Sequence, residues 1–253
     1  MSSAARDVNI GELHARVHPG GDRDAGPTYV LLHGIAMSHR YLARLHASLA
    51  EKGRVLSLDL PGFGGTPKPP HPLSVEDYAR FIIRVLDGCG VVHCVLVGHS
   101  MGAQFAIEIA RQDPDLVSHV VLMGPVVDAS RHTIIRQFLA VARDLSREPP
   151  SANVVVLTDY FRCGTRFFLA ELRAMLAYPT AERIRGTPAP VLVVRGVADP
   201  IARSEWCRML AGRAPSGRLL EIHGSRHVVQ LSDPDRVARA IAAFAGAPLP
   251  AAA

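Results

Sequence analysis

The chain alternates regularly between short apolar runs and longer amphipathic stretches, and few folds are compatible with such a pattern. The short runs are rich in β-branched residues and end at glycine, proline or polar residues, which predicts buried strands. The longer stretches carry apolar residues at helical spacing. This alternation is typical of an α/β fold, a mostly parallel sheet covered by helices. The predicted strands are Thr28–His33, Arg54–Leu58, Cys94–Gly98, Val117–Met123, Val191–Arg195 and Arg218–Ile222. The predicted helices are Ser38–Lys52, Val75–Asp87, Met101–Asp113, Arg203–Ala211 and Asp233–Ala245.

The alternation breaks between about residues 130 and 185, where no convincing strand occurs and apolar residues recur at helical spacing. Val154–Leu157 has strand propensity, but its flanks favour a helix. We therefore predict a helical insertion between two strands of the sheet; extra core helices without a functional role are the alternative. The two apolar faces are Ile134, Ile135, Phe138 and Leu139, and Phe167, Phe168, Leu172, Met175 and Leu176.

The strongest chemical signal is a strand that runs directly into Gly98-His-Ser100-Met-Gly102 and then into a helix. A serine at such a tight turn has strained backbone geometry, and a glycine two residues away on either side avoids clashes with the neighbouring strand and helix. The turn exposes the hydroxyl at the positive end of the helix. Ser100 is therefore the candidate nucleophile, and the Met101 amide is a candidate oxyanion donor.

A second motif, His33-Gly34-Ile35, ends another predicted strand. Loops at the carboxyl ends of parallel strands share one edge of the sheet, so this loop is expected beside Ser100. The Ile35 amide is the candidate second oxyanion donor. For His33 we favour a loop-stabilising role over catalysis.

The acid and the base are expected on the same edge. Asp199 follows the strand Val191–Arg195 after a short turn, and His227 follows the last strand, so the three candidates occur in the chain order Ser, Asp, His. Asp128 also follows a predicted strand and is the rival acid. His223 and His99 are rival bases for which packing or surface roles are favoured.

Five segments occur in a fixed order: His33-Gly34, Asp59–Thr66, Gly98–Gly102, Val194–Pro200 and Gly224–His227. Together they resemble the α/β-hydrolase superfamily, in its branch of small bacterial esterases and C–C hydrolases. The resemblance spans Tyr29 to Phe244 and is weakest across the insertion. It implies an eight-stranded sheet in a single domain over residues 1–253, and it makes the insertion at about 130–185 a cap where substrate specificity varies. Asp59 is expected to stabilise its own loop.

These features predict a serine hydrolase with Ser100, His227 and Asp199 as catalytic triad and the amides of Ile35 and Met101 as oxyanion hole. Related dehalogenases and epoxide hydrolases carry aspartate at the elbow, so Ser100 favours acyl chemistry, with carboxylic esters as the first candidates. The Phe, Leu and Ile residues of the insertion predict that the ester is small and largely apolar. C–C cleavage of a diketone, lactone hydrolysis and thioester hydrolysis are alternatives. A ligand receptor or a non-hydrolytic lyase on the same fold is an alternative from another class.

Composition excludes several other classes of protein. Hydrophobic residues make up 48% and charged residues 20% of the 253, which excludes a disordered chain. No apolar run is long enough to cross a bilayer, and Met1–Gly11 is polar, so we predict a cytoplasmic protein without a membrane partner. The net charge of +5 comes mostly from scattered arginines, which predicts no nucleic-acid partner.

Cap arginines, including Arg131, Arg136, Arg162, Arg166 and Arg173, are expected on solvated faces, a substrate carboxylate being their alternative ligand. No metal-ligand spacing or phosphate-binding loop occurs, so no cofactor is predicted, and nothing predicts an oligomeric state.

Overall fold

The computed structural model describes residues 4–22, 24–126 and 150–246. Within these ranges eight strands form one sheet in the order β1-β2-β4-β3-β5-β6-β7-β8. β1 pairs antiparallel with β2 and β2 with β4, while the other neighbours are parallel. The strands are β1 Arg6–Ile10, β2 Leu13–Gly20, β3 Thr28–Leu32, β4 Arg54–Asp59, β5 Cys94–His99, β6 Val117–Met123, β7 Val191–Gly196 and β8 Gly217–Ile222.

Helices pack on the sheet and bury its apolar side chains. α2 begins with a capping box, in which Ser74 and Asp77 exchange hydrogen bonds with each other's backbone amides. The described helices are α1 His39–Ala50, α2 Val75–Gly88, α3 Gly102–Gln112, α4 Pro150–Cys163, α5 Thr165–Ala177, α6 Thr180–Arg183, α7 Ser204–Arg213, α8 Val229–Ser232 and α9 Pro234–Ala245, with a 3-10 turn at Ile184–Gly186. None of these helices has the length and apolarity that a bilayer span requires.

All six predicted strands and all five predicted helices are present, and their ends differ from the predicted ones by at most two residues. The hairpin of β1 and β2 was not predicted. Its pattern is visible in hindsight, since apolar residues alternate through Leu13, Ala15 and Val17, and Ile10 pairs with Leu13 across a two-residue turn. Gly11 takes φ +60 in that turn, a conformation that favours glycine.

Between β6 and β7, the described residues from Pro150 to Gly186 form α4, α5, α6 and the 3-10 turn. α4 covers Val154–Leu157, so the choice of helix over strand was right. On α5, Leu172 and Met175 are buried and Phe167 packs against the core. We call α4 and α5 the cap helices. The apolar face from Ile134 to Leu139 lies outside the described residues.

The sheet order places a topological switch point between β3 and β5. The chain leaves β3 to form β4 on one side and returns to form β5 on the other. In parallel sheets, ligand sites lie outside the carboxyl ends of the strands at such a point. The loops that follow β3 and β5 carry Gly34 and Ser100, the residues of the two sequence motifs.

Candidate active site

Ser100 sits at the turn between β5 and α3 in a strained conformation. Its φ is +56, which a non-glycine residue adopts at a cost of about 1–3 kcal/mol. The Ser100 amide donates to the Met123 carbonyl oxygen on β6 at 2.9 Å, and the Ser100 carbonyl oxygen accepts from the Ala103 amide at 3.1 Å. These bonds hold the turn so that the side chain stands at the switch point.

The two elbow glycines are required by close backbone approach. A Cβ on Gly98 would lie 2.2 Å from the Gly102 carbonyl oxygen, and a Cβ on Gly102 would lie 2.3 Å from the Leu32 carbonyl oxygen on β3. The first contact is with the helix and the second with the neighbouring strand. These are the clashes that the sequence motif predicts.

The loop after β3 lies directly against the serine. A Cβ on Gly34 would lie 3.0 Å from the Ser100 Cβ and 3.5 Å from its Oγ. Ile35 follows in this loop, and Ala36 takes φ +58. Among the described residues, neither the Ile35 amide nor the Met101 amide donates a hydrogen bond to another protein atom. Two unused amides next to the serine are what an oxyanion hole requires.

Asp199 and His227 are brought together as the sequence predicts. His227 Nδ1–H donates to Asp199 Oδ2 at 2.9 Å, and both side chains are buried. Asp199 Oδ1 accepts from the amides of Ile201 at 2.7 Å and Ala202 at 2.9 Å. Burial raises the pKa of Asp199, but the charge of His227 and these hydrogen bonds outweigh burial and bring the pKa below its usual value. Asp199 is thus held as a carboxylate that fixes the orientation of the imidazole.

His227 contacts two residues that lie next to the Ser100 turn, Gly124 and His99. Gly124, which follows the residue bonded to the Ser100 amide, lies so close to the His227 ring that a Cβ there would be 3.0 Å from its Nδ1. The His99 ring lies 4.8 Å from the His227 ring, centroid to centroid, and His99 Nε2–H donates to the His227 carbonyl oxygen at 3.0 Å. The role of Gly124 was not predicted, although its position after a strand end was visible.

The rival histidines have other surroundings. Burial lowers the pKa of His99 to about 3, so His99 is a neutral packing residue. His223 is exposed after β8. The rival acid, Asp128, lies outside the described residues.

His33 joins two loops, which is the role favoured from the sequence. Its Nδ1–H donates to the Gly34 carbonyl oxygen at 2.8 Å, and its Nε2 accepts from the Leu60 amide at 3.2 Å. Burial lowers the pKa of His33, against opposing contributions from the carboxylates of Asp59 and Asp159. Because both ring nitrogens are occupied, the imidazole is neutral and is not available as a base.

Asp59 stabilises a larger region than its own loop. One carboxylate oxygen accepts from His18 Nε2–H on β2 at 2.9 Å, and the other accepts from the His39 amide at the start of α1 at 2.6 Å. The carboxylate also packs against Gly64. The sequence predicted a structural role but not the connection to α1.

The cap helices lie over these loops. Phe167 packs against Phe63, with ring centroids 5.2 Å apart, and Phe63 in turn meets the edge of His33. Arg166 and Arg173 are exposed, as expected for solvated faces. Arg131 and Arg136 lie outside the described residues. Within the described ranges, no group of three or more His, Cys, Asp or Glu side chains is arranged to hold a metal ion.

Comparison with known proteins agrees with the fold and the motifs. The sequence pattern of the alpha/beta hydrolase family matches residues 29–240. An uncharacterized hydrolase, YugF, of Bacillus subtilis is 27% identical over 86% of this chain and 89% of its own. The (E)-2-((N-methylformamido)methylene)succinate hydrolase of Acinetobacter baylyi is 24% identical over 88% of this chain and 92% of its own. The crystal structure of the enol-lactonase from Burkholderia xenovorans superposes with a TM-score of 0.81 at 20% identity, covering 94% of this chain and 99% of the other. The family match spans most of the chain and includes both loops of the switch point, and the chain therefore belongs to the α/β-hydrolase family.

Proposed function

We propose that this α/β hydrolase is a serine hydrolase that works through an acyl-enzyme on Ser100. His227 removes the Ser100 proton as the hydroxyl attacks the substrate carbonyl carbon. The amides of Met101 and Ile35 stabilise the oxyanion, and Asp199 stabilises the imidazolium. The leaving group departs with the proton from His227. Water then attacks the acyl-enzyme by the same route and releases the acid.

One observation carries this proposal: a strained serine, two unused amides and a buried His–Asp pair converge on the switch point of the sheet. The strain has no structural benefit in itself, since a glycine would adopt the same φ without cost. Strained residues that the surrounding structure holds in place cluster at active sites. Each of these groups also matches a step of acyl transfer: the serine attacks, the amides stabilise the oxyanion, and the His–Asp pair moves the proton.

We propose a small, largely apolar carboxylic ester as the substrate. The described part of the cap that we place at about residues 130–185 is rich in apolar side chains, among them Phe167, Leu172 and Met175, and we infer an apolar acyl or alcohol group from this composition. Of the proteins compared, the Acinetobacter protein is named a hydrolase of (E)-2-((N-methylformamido)methylene)succinate and the Burkholderia protein an enol-lactonase. Lactones, thioesters and C–C bonds of diketones remain the alternative substrates for the same residues.

A receptor or a non-hydrolytic lyase on this fold is the alternative from another class. All three triad candidates are present in this chain, and Asp199 and His227 are hydrogen bonded. A complete triad favours turnover over ligand binding. Product release in more than one cycle per protein molecule distinguishes the two.

The test is hydrolysis of p-nitrophenyl acetate, butyrate and octanoate by the wild type and by single variants. We expect turnover with a preference for the shorter esters, and a fall in kcat of about 10⁴-fold or more for Ser100→Ala and His227→Ala. Turnover that persists in Ser100→Ala would reject the proposal.

A matched pair of variants identifies the acid. Asp199→Asn keeps the shape of the side chain but favours the wrong tautomer of His227, so we expect kcat to fall by about 10⁴-fold. Asp128→Asn makes the same chemical change at the rival position, and we expect near wild-type kcat. A large fall in kcat for Asp128→Asn, with near wild-type kcat for Asp199→Asn, would assign the acid to Asp128.

A further inference from the structure

Ser38 occupies the N-cap position of α1 but does not cap the helix. Serine at this position normally accepts a hydrogen bond from an amide of the first turn. Ser38 makes no such side-chain bond. The Asp59 carboxylate accepts from the His39 amide instead, from outside the helix. The Ser38 hydroxyl is therefore left for another partner.

That partner is Asp159 on the cap helix α4. Ser38 Oγ–H donates to Asp159 Oδ2 at 2.5 Å, across 121 positions in sequence, and both residues are buried. Asp159 Oδ1 faces two arginines, Arg40 on α1 at 3.4 Å and Arg162 on α4 at 3.8 Å. The arginine side chains are 42% and 55% exposed, whereas that of Asp159 is 1% exposed. The buried hydrogen bond from Ser38 is therefore the strongest of the three contacts that Asp159 makes with Ser38, Arg40 and Arg162.

Ser38 ends the loop that carries the Ile35 amide. Gly34 packs on Ser100, and the Met37 amide donates to the Gly34 carbonyl oxygen at 3.2 Å, so residues 34–37 form one tight turn. Ala36 holds φ +58 in this turn, a strained conformation that needs support from its surroundings. The support on one side is His33. On the other side it is Ser38.

We propose that Asp159 and Ser38 are positioning residues. Through their hydrogen bond, the cap helix α4 holds the turn of residues 34–37 in the shape that directs the Ile35 amide at the substrate. This inference rests on the proposed serine hydrolase mechanism. Full stabilisation of the transition state then requires that α4 is packed against this turn. Neither side chain takes part in the chemistry.

The test compares steady-state kinetics on p-nitrophenyl acetate for Ser38→Ala, Ser38→Thr and Asp159→Ala. Small displacements of an oxyanion donor act on the transition state more than on bound substrate. We expect kcat to fall about tenfold or more in Ser38→Ala and Asp159→Ala, with KM changed less than about twofold. Ser38→Thr keeps a hydroxyl and should retain most of the activity. The double variant Ser38→Ala/Asp159→Ala should be no slower than the slower single variant, because both changes break one bond.

Ser48→Ala is the matched control. Ser48 lies on the same helix and its hydroxyl also donates to an aspartate, Asp235, at 2.6 Å, but on the exposed surface. We expect wild-type kcat. Thermal unfolding of every variant separates positioning from stability, since a purely structural contact would lower Tm and leave kcat unchanged well below it. Wild-type kcat in a folded Ser38→Ala would overturn the positioning role, whereas a wild type without turnover would instead reject the proposed function.

Discussion

At the scale of single residues, the elbow depends on positions where a side chain does not fit. Gly102 begins α3 against the backbone of β3, and Gly98 lies against the first turn of α3. Ser100 is strained between them. Helix, strand and nucleophile are thus packed as closely as backbone allows. Any added methyl group must move main chain, which is harder to displace than a side chain.

Gly102→Ala tests this packing. The new Cβ would lie 2.3 Å from the Leu32 carbonyl oxygen, so we expect the free energy of unfolding to fall by about 1–3 kcal/mol, and activity to fall with it. Gly212→Ala is the control within a helix, because a Cβ there meets nothing within 4 Å. It should raise the free energy of unfolding by about 0.5–1 kcal/mol. Urea unfolding measures both, and an equally stable Gly102→Ala would mean that the elbow is looser than described.

At the scale of secondary-structure elements, the cap helices meet the core through buried polar groups as well as apolar ones. Glu171 on α5 is fully buried, and neither carboxylate oxygen makes a hydrogen bond within the described residues. Tyr78 on α2 is the neighbour of Glu171 across the interface between the cap helix and the core. The Tyr78 hydroxyl donates to the Pro61 carbonyl oxygen at 3.3 Å. Burial raises the pKa of Glu171 to about 7, with Tyr78 opposing the shift. Glu171 is therefore mostly protonated below about pH 7 when the cap helix packs against the core.

Glu171→Gln should change how stability depends on pH. The unfolded chain releases this proton near its ordinary pKa of 4.5 and the folded chain near 7, so between these values the unfolded state binds fewer protons. The wild type then loses stability as pH rises through this window, by about 1.4 kcal/mol per pH unit for this group. Glutamine cannot ionise and removes that loss. We expect the free energy of unfolding of Glu171→Gln, relative to wild type, to increase from pH 5 to pH 8.

Glu182→Gln serves as the control for the same change at a side chain that is 70% exposed. Its stability relative to wild type should be nearly constant over the same pH range. A constant difference for Glu171→Gln as well would show that Glu171 ionises freely in the folded protein. Urea unfolding at several pH values gives both results.

At the scale of the whole molecule, the sheet order determines where the site lies. Because β3 and β5 are neighbours, the loops that follow them meet above the centre of the sheet. β7 and β8 bring Asp199 and His227 to the same edge from farther along the chain. The family match covers the segments that build this arrangement and extends from Tyr29 to Ala240.

The sequence was sufficient for the parts of the molecule that local patterns determine. Val117–Met123 was predicted with its observed ends because a short apolar run rich in β-branched residues and followed by Gly124 and Pro125 favours a strand. The tight turn at Ser100 was predicted because its motif follows a strand and opens a helix. The hairpin of β1 and β2 was missed because its partly exposed strands give a weaker signal than buried runs.

Contacts between distant segments could not be predicted in this way. Ser38 looks like an ordinary helix cap in sequence, and nothing local indicates that its hydroxyl reaches Asp159. Gly124 against His227 is similar, since the two residues meet only after β6 and β8 have joined the sheet. Such pairs depend on tertiary packing, which one sequence does not encode in any local pattern.

Covalent labelling determines whether Ser100 is the nucleophile. The measurement is the intact mass of wild type and Ser100→Ala after exposure to a fluorophosphonate, with peptide mapping of any adduct. If Ser100 is the nucleophile, we expect one phosphonyl group on wild type, mapped to Ser100, and none on the folded variant. An unlabelled wild type that also fails to turn over esters, or an equal adduct on Ser100→Ala, would contradict it.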